Sequence, residues 1–319
     1  MPRYLVTGGA GFIGSNLVAA LARAGERVAA LDDLSTGRWS LVDRLLRAGD
    51  AEVERHTASI VDGVAVARAM RGVEVVFHEA ALASVERSLV DPLGCEEVNV
   101  RGLLTVLEAA RDAGVRRVVF TSSCAVYGDE PTMPKSETSA LRPLSPYAVT
   151  KLSGELHLAA WARLHGREAV SFRNFNTFGA NQLPDGPYAA AIPRFVWAWL
   201  GGAPARVHGD GLQTRDFAHV DDVVRANLLA AASPRRFVGD VINLAGGEEK
   251  TLLDVLASLR ELGLDGEVVH DEPRRGDIRR SRASIDLARD ALGFVPRVAW
   301  RDGLASTVEF LRDVRAGRV

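Results

Sequence analysis

The chain has 319 residues, more than one simple hydrophobic core usually supports, so we expect one large domain or two joined domains. Its composition is that of a globular protein, and the formal net charge of -2 gives no sign of attraction to nucleic acid or to a membrane surface. Two cysteines, Cys95 and Cys124, suggest no disulfide framework. With no signal-peptide pattern and no run of about 18 apolar residues, we predict a cytoplasmic protein without a membrane span.

The first element predicted is a short buried strand at residues 4–6, followed by a glycine turn and a helix at residues 15–21. The turn contains two overlapping glycine patterns of the dinucleotide-binding type, formed by Gly8, Gly9, Gly11 and Gly14. Strand, turn and helix in this order allow a pyrophosphate to approach the free N–H groups of the helix. The sequence therefore predicts a dinucleotide site.

A carboxylate follows the second predicted strand, residues 27–31, and defines which dinucleotide is expected. Asp32 lies eighteen residues after Gly14, where an acid can accept hydrogen bonds from the adenosine ribose. It would repel a 2′-phosphate, so NAD is favoured over NADP.

Strands and helices continue to alternate after this point. Strands are predicted at residues 51–56, 73–77, 115–121 and 169–173, and helices at residues 64–71, 93–113 and 146–164. This alternation predicts an α/β fold with a doubly wound parallel sheet of the Rossmann type and a ligand at the carboxyl ends of its strands.

The pattern loosens beyond residue 179. Helices are expected at residues 192–200, 221–231 and 252–262 and from Ile285 and Trp300, with short strands at residues 206–208, 241–244 and 268–270. We predict an NAD-binding domain at residues 1–175, with a returning segment near residues 216–243. The remainder, residues 176–319, is predicted to form a smaller, mixed α/β substrate domain.

A tyrosine and a lysine share one face of the helix predicted at residues 146–164. Ser145 can cap this helix and Pro146 suits its first position. Tyr147 and Lys151 are four residues apart, near the positive end of the helix dipole. A phenol beside an ammonium could then act as a tyrosinate base towards a sugar hydroxyl. Taken alone, such a pair is common on helices.

Seven motifs that span most of the chain make it resemble the extended short-chain dehydrogenase/reductases, and specifically the nucleotide-sugar 4-epimerases of the UDP-glucose/UDP-N-acetylglucosamine type. The motifs are TGGAGFIGS (7–15), LDDLSTG (31–37), SSCAVYGD (122–129), SPYAVTK (145–151), RNFNTFG (173–179), GDGLQTRDFAHVDD (209–222) and PRRGDIRRS (273–281).

The resemblance implies a role for each matched residue. The catalytic residues would be Ser123, Tyr147 and Lys151. The NAD-binding residues would be Gly8, Gly11, Phe12, Ile13, Gly14, Asp32, Leu34, Ser35, Thr36, Gly37, Ser59, Ile60, Ala80, Ala81, Leu82, Asn99, Ser122, Tyr147, Lys151 and Phe175. The UDP-sugar would contact Ser84, Val85, Ser123, Tyr147, Asn176, Ile192, Val207, Arg215, Arg274, Asp277 and Ser281.

Three positions depart from the family pattern or set the width of its pocket. Ser59 stands where the family often has an acid that contacts adenine, and Asn174 stands where it has an aromatic residue. Ser281 falls where a large residue narrows the pocket in some members, so its small side chain predicts room for an N-acetyl group.

The implied activity is NAD-dependent inversion of C4 of a UDP-hexose in a homodimer, with no metal ion. A UDP-glucuronate 4-epimerase shares the same motifs and stays open as an alternative. A nucleotide-sugar 4,6-dehydratase is disfavoured, because residues 123–126 contain no carboxylate for elimination. A non-catalytic NAD sensor is a further alternative, although such proteins usually lose the tyrosine or the lysine.

Overall fold

The fold is described from a computed structural model that covers residues 3–184, 190–273 and 278–319. Its strands are β1 (Tyr4–Thr7), β2 (Val28–Asp32), β3 (Val53–Thr57), β4 (Val75–His78), β5 (Arg117–Ser123), β6 (Glu168–Asn174), β7 (Thr177–Phe178), β8 (Ala205–His208), β9 (Thr214–Asp216), β10 (Ala218–His219), β11 (Val238–Leu244), β12 (Glu249–Thr251) and β13 (Val268–Asp271).

The helices lie between these strands. They are α1 (Phe12–Arg23), α2 (Trp39–Asp43), α3 (Gly63–Ala69), α4 (Val85–Val90), α5 (Pro92–Glu96), α6 (Gly102–Asp112), α7 (Pro146–His165), α8 (Ala191–Leu200), α9 (Val220–Ala232), α10 (Leu252–Glu261), α11 (Asp286–Leu292) and α12 (Trp300–Arg315). A π-helical turn, Glu97–Arg101, separates α5 from α6, and a 3₁₀ turn, Cys124–Tyr127, follows β5.

Seven parallel strands form the central sheet, in the order β11-β6-β5-β4-β1-β2-β3. Apolar side chains cover one face of this sheet together with α1 and α9, and a second apolar cluster packs α3, α6 and α7 on the other face. The doubly wound parallel sheet predicted from the sequence is confirmed. Strand order reverses between β1 and β4, and the crevice for a ligand opens at such a reversal.

Strand composition follows position in the sheet. All five residues of the inner strand β2 are buried, as expected of a parallel strand covered on both faces. The edge strand β3 has the pattern Val53-Glu54-Arg55-His56-Thr57 with both charged residues exposed, which discourages pairing with another chain.

The helix predicted at residues 93–113 is interrupted. Its first part, α5, begins at Pro92 behind the capping side chain of Asp91, whose Oδ1 accepts from the Gly94 N–H at 2.9 Å. The π-helical turn then adds a residue to the spiral and turns the buried Asn99 towards the sheet. Helical periodicity indicated the element but not this wide turn.

The region beyond residue 190 supplies a third apolar cluster. Helices α8, α10 and α12 pack around β8, with Trp199, Phe195 and Phe310 buried between them. Outside the central sheet, the described residues form three two-stranded sheets, β7 with β10, β8 with β13 and β9 with β12. Across residues 3–184, 190–273 and 278–319, the structure contains no helix long and apolar enough to cross a membrane.

Candidate active site

The turn after β1 leaves no room for side chains on its glycines. Gly8 has a φ of +67°, and a Cβ on it would lie 2.7 Å from the Ala80 nitrogen. A Cβ on Gly14 would lie 2.0 Å from the Gly8 carbonyl oxygen. No side chain caps α1, so its first N–H groups, at Phe12 and Ile13, are available to an anion. This cradle fits the pyrophosphate of NAD.

Replacing Gly14 by alanine should therefore open the turn and weaken NAD binding by about tenfold or more. The measurement is the NAD content of purified protein after denaturation. Gly63→Ala is the matched control, because its Cβ would meet only the Thr105 Cγ2 at 3.7 Å, an ordinary contact. A Gly14→Ala protein with the wild-type NAD content would contradict the assignment of the turn.

Asp32 is the last residue of β2 and lies beside the glycine turn. Its carboxylate accepts from the Ala10 N–H at 3.0 Å and from the Leu34 N–H at 2.8 Å, which joins the glycine turn to the loop after β2. Burial raises the pKa of Asp32, and these backbone donors offset part of the shift. The predicted cofactor loop, residues 34–37, folds back onto the turn, where a Cβ on Gly37 would meet the Ala10 carbonyl carbon at 2.8 Å.

The segment after β3 was predicted to approach adenine. Ile60 is buried in the cluster beneath α3 and α6, and Ser59 Oγ accepts from the Val61 N–H at 3.4 Å. The acid of this segment, Asp62, caps α3 by accepting from Val64 N and Ala65 N. Adenine contact by Ser59 and Ile60 stays a prediction.

Asn99 joins the loop after β4, which contains Leu82, to α7. Its Oδ1 accepts from the Leu82 N–H at 2.7 Å, and its Nδ2 donates to Thr150 Oγ1 at 2.9 Å. Leu82, with the preceding Ala80 and Ala81, thereby holds a fixed position beside the helix that carries Lys151. Asn99 thus supports the loop after β4, and its predicted contact with NAD stays a prediction.

The three predicted catalytic residues meet at the end of β5. Ser123 is the last residue of the strand, and its Oγ accepts from the Ala125 N–H at 3.2 Å. The Lys151 Nζ donates to the Thr121 carbonyl at 2.7 Å and lies 5.9 Å from the centre of the Tyr147 ring. As predicted, Ser145 caps α7, accepting from Ala148 N, and Pro146 occupies its first turn.

The sequence predicts that Lys151 lowers the pKa of the Tyr147 phenol, but the residues of the chain do not produce that shift. Burial raises the pKa of Tyr147 to about 12, and the hydrogen bond with Ser123 offsets part of this shift. Burial also lowers the pKa of Lys151 to about 8. The prediction that Lys151 brings the phenol near neutral pH is therefore wrong for the chain by itself. The positive charge of the nicotinamide, when NAD is bound, would lower the pKa of the phenol further.

A serine outside the motifs positions Tyr147. Ser88, on α4, is fully buried, and its Oγ accepts from the Tyr147 N–H at 3.1 Å while donating to the Val85 carbonyl at 2.6 Å. The backbone of Tyr147 is thus joined to the segment that contains Ser84 and Val85. Nothing in the sequence indicated this contact, because it joins residues 59 positions apart.

A cavity of about 430 Å³ begins at the segment that contains Ser84 and Val85; Ser123 and Tyr147, which were also predicted to contact the sugar, do not line it. Five predicted substrate residues line it: Ser84, Val85, Asn176, Ile192 and Arg215. Asn176 Nδ2 donates to the Asp216 carbonyl at 2.9 Å, and Arg215 Nη1 donates to the carbonyls of Thr214 and Ile278 at 2.7 and 2.6 Å. Predicted residues Arg274 and Asp277 lie outside the described residues.

Four residues predicted to contact NAD or the UDP-sugar have side chains that do not line this cavity. Val207 is fully buried in the third apolar cluster, because alternate residues of β8 face opposite sides and the cavity receives Arg206 and His208 instead. Phe175 is fully buried with Val126 and Tyr127.

The other two are also turned inward. Ser122 Oγ donates to Glu155 on α7 beneath the site. Ser281 is buried and does not line the cavity.

Sequence reasoning missed several residues of the cavity wall. They include Arg194, Arg206, His208, Gln213 and Phe217. Gln213 and Phe217 stand within the motif at residues 209–222, so the motif could have indicated them. The other three lie in no recognised pattern.

Comparison with known proteins agrees with this arrangement. Residues 4–245 match the model of the "NAD dependent epimerase/dehydratase family". A UDP-glucose 4-epimerase of Mycolicibacterium smegmatis is 41% identical over 98% of this chain and 99% of the relative. A dTDP-glucose 4,6-dehydratase of Streptomyces niveus is 36% identical over 98% and 94% of the two chains.

A solved structure has the same fold over its whole length. The UDP-glucose 4-epimerase of Thermotoga maritima with UDP-glucose superposes with a TM-score of 0.91 at 36% identity and covers 98% of this chain and 99% of that one. The family resemblance inferred from the motifs is confirmed, and so is the expectation of an NAD-dependent enzyme. The chain belongs to the NAD-dependent epimerase/dehydratase family.

Proposed function

We propose that this enzyme inverts C4 of a UDP-hexose, interconverting UDP-glucose with UDP-galactose and also the N-acetylated pair. The observation that carries the proposal is the junction of two sites. Ser123, Tyr147 and Lys151 stand at the carboxyl edge that holds the glycine cradle, and Ser88 joins the Tyr147 backbone to the segment of Ser84 and Val85 that lines the cavity.

Tyr147 takes the proton of the C4 hydroxyl, and Ser123 bridges the phenol and the sugar oxygen. NAD, when bound, would supply reversible hydride acceptance at C4. The cavity would have to let the sugar present either face of C4, and Tyr147 gives the proton back to the C4 oxygen. Lys151 would hold the nicotinamide ribose.

The cavity suits a nucleoside diphosphate sugar in size and charge. Its volume of about 430 Å³ lies within the range of small-molecule sites. Arg215 presents a planar guanidinium, whose fork geometry matches the oxygens of a diphosphate. We place the sugar beside Ser84 and Val85, next to the α4 segment that holds the Tyr147 backbone.

Elimination at C5 and C6, as in a 4,6-dehydratase, is less well supported despite the relative of that name. Such chemistry needs a further acid and base beside the sugar. The 3₁₀ turn that carries Cys124, Ala125 and Val126 after Ser123 has no carboxylate. A UDP-glucuronate 4-epimerase remains the alternative, with the sugar carboxylate held by serine hydroxyls and backbone N–H groups.

The proposal is tested by incubating the protein with UDP-glucose, UDP-galactose, both N-acetylated sugars and UDP-glucuronate, followed by chromatography of the products. We expect interconversion within the glucose and galactose pair. Conversion of UDP-glucuronate alone would favour the alternative, a 4-keto-6-deoxy product would favour a dehydratase, and no product would favour a non-catalytic NAD protein.

Ser281 does not line the cavity, and we propose that it sets the width of the sugar pocket indirectly, through its segment, whose Ile278 carbonyl accepts from the cavity residue Arg215. It is buried, in a segment held by Thr214 N to Arg279 O and Lys135 N to Arg282 O at 3.0 and 2.8 Å, so a larger side chain cannot simply turn to solvent. Ser281→Tyr should reduce kcat/KM for UDP-N-acetylglucosamine about tenfold more than for UDP-glucose, in keeping with steric exclusion of a bulky substituent. Equal losses on both sugars would contradict this role.

We also propose that the enzyme is a homodimer. The face formed by α5 and α7 leaves large apolar side chains exposed, among them Leu93 at 81% and Leu156 at 66%. Exposed apolar residues that cluster on neighbouring helices mark association surfaces. Light scattering of the purified enzyme gives its mass directly, and a monomer would refute the proposal.

A further inference from the structure

Glu79 is a half-buried acid that the proposed reaction does not use. It directly follows β4, and its backbone N–H donates to the Thr7 carbonyl at 3.1 Å. Both oxygens of its carboxylate are shielded from solvent and form no hydrogen bond of ordinary geometry with the residues described. Shielded polar groups are nearly always paired, so this one requires an explanation.

The sheet register brings Glu79 beside the anchor of Lys151. His78 pairs with Phe120 in the parallel ladder of β4 and β5, and the next position of each strand is occupied by Glu79 and Thr121. The Thr121 carbonyl accepts from the Lys151 Nζ at 2.7 Å. The carboxylate and the ammonium are therefore neighbours across one strand end, without a direct ion pair.

We propose that Glu79 is a positioning residue that acts through Lys151: its buried negative charge keeps the Lys151 side chain an ammonium and seated on the Thr121 carbonyl. Lys151 lies in an apolar setting, 3% exposed and 5.0 Å from the centre of the Phe120 ring. Such a setting disfavours an ammonium, and a fixed carboxylate nearby favours it. The inference rests on the proposed function only in assuming that Lys151 takes part in the reaction.

Three titratable groups that face Lys151 are neutral in the chain without its cofactor. Burial lowers the pKa of His78, on β4, to about 3. It raises the pKa of Tyr147, on α7, to about 12, and it raises the pKa of the Cys95 thiol, on α5. In the chain without NAD none of the three carries a charge near pH 7, so none of them can stabilise the ammonium there.

The remaining acid facing Lys151, Glu155 on α7, already has a cation of its own. Its two carboxylate oxygens accept from Arg173 Nε and Nη2 at 2.9 and 2.7 Å. Among the charged groups described, Glu79 is thus the acid left to act on Lys151. In agreement, Glu79 is the largest cause that raises the pKa of Lys151, against the lowering by burial to about 8. Burial raises the pKa of Glu79 itself to about 7, and the Thr121 hydroxyl and the Lys151 charge offset part of this shift.

Lysine resonances allow a direct test, because the sequence contains only Lys135, Lys151 and Lys250. The holoenzyme with bound NAD, labelled with ¹³Cε-lysine, is titrated by NMR, and Lys151→Met assigns the resonance. Glu79→Gln should lower the pKa of Lys151 by about one unit, the sign expected when a nearby negative charge is removed. Glu79→Asp keeps the charge and should restore most of the difference.

Glu74→Gln is the matched control, since Glu74 precedes β4 at the opposite end of the same strand and is exposed. It should leave the titration of Lys151 unchanged. The alkaline limb of the kcat/KM profile should move to lower pH in Glu79→Gln by the same amount, because Lys151 loses its proton earlier. An unchanged Lys151 titration in Glu79→Gln, or an equal shift in Glu74→Gln, overturns the proposal.

Discussion

Replacing Tyr147 by phenylalanine is expected to lower epimerase turnover by about 10²–10⁴-fold, the usual contribution of a positioned general base. The change removes the one oxygen that can take the C4 proton and leaves the ring in place. The Tyr147 N–H keeps its acceptor, Ser88 Oγ, and Lys151 keeps the Thr121 carbonyl, so the fold of this corner does not depend on the hydroxyl. The NAD content should stay at the wild-type level.

The measurement pairs turnover of UDP-galactose with the amount of NAD released on denaturation. Tyr4→Phe serves as the control, because Tyr4 begins β1 at the amino end of the sheet, remote from the active edge. Turnover of Tyr147→Phe within about threefold of wild type would remove Tyr147 from the mechanism. Loss of NAD together with turnover would instead indicate a structural role.

Replacing Arg173 by methionine is expected to destabilise the protein by about 3–5 kcal/mol, because it leaves the carboxylate of Glu155 buried without its partner. The two side chains are 3% and 4% exposed and are joined by two parallel hydrogen bonds. Arg173 Nη1 also donates to the Tyr127 hydroxyl at 2.9 Å. The pair links β6 to α7 directly beneath the catalytic edge.

Urea unfolding measures this loss, provided that two probes give the same transition. A double variant, Arg173→Met with Glu155→Leu, should recover most of the stability, because it removes both buried charges. Arg3→Met offers the exposed comparison: Arg3 pairs with Glu26 and Glu74 at the surface, and its removal should cost about 1 kcal/mol or less. A loss below about 1 kcal/mol in Arg173→Met would contradict the prediction.

The cofactor half of the site could be predicted from the sequence because its signals are local. The glycine turn lies between β1 and α1 and needs no distant contact to be recognised. Asp32 ends the next strand, and a strand end in a parallel sheet lies at the ligand edge. Tyr147 and Lys151 are one helical turn apart, which fixes their proximity.

The substrate half of the site was harder to predict from the sequence, because its residues are brought together by contacts distant in the sequence and by which face of a strand is buried. The sequence predicts Val207 as a substrate contact, whereas Arg206 and His208 face the cavity, because a four-residue strand gives too little pattern to show which of its sides is buried. Ser88 and Glu79 act through residues far away in the sequence. The raised pKa of Tyr147 could not be predicted for a related reason: spacing along a helix indicates which residues are neighbours but not that burial removes solvent from around the phenol.

The wide turn at Glu97–Arg101 makes the helix that contains it sensitive to length rather than to composition. One residue of an α-helix corresponds to about 100° of rotation, and the wide turn holds one extra residue without rotating the helix beyond it. Deleting one residue from this turn would therefore restore regular helix, and Asn99 would lose its contacts with Leu82 and Thr150. Relatives that keep this loop support must also keep the residue count between positions 92 and 112, whatever side chains they place on the surface.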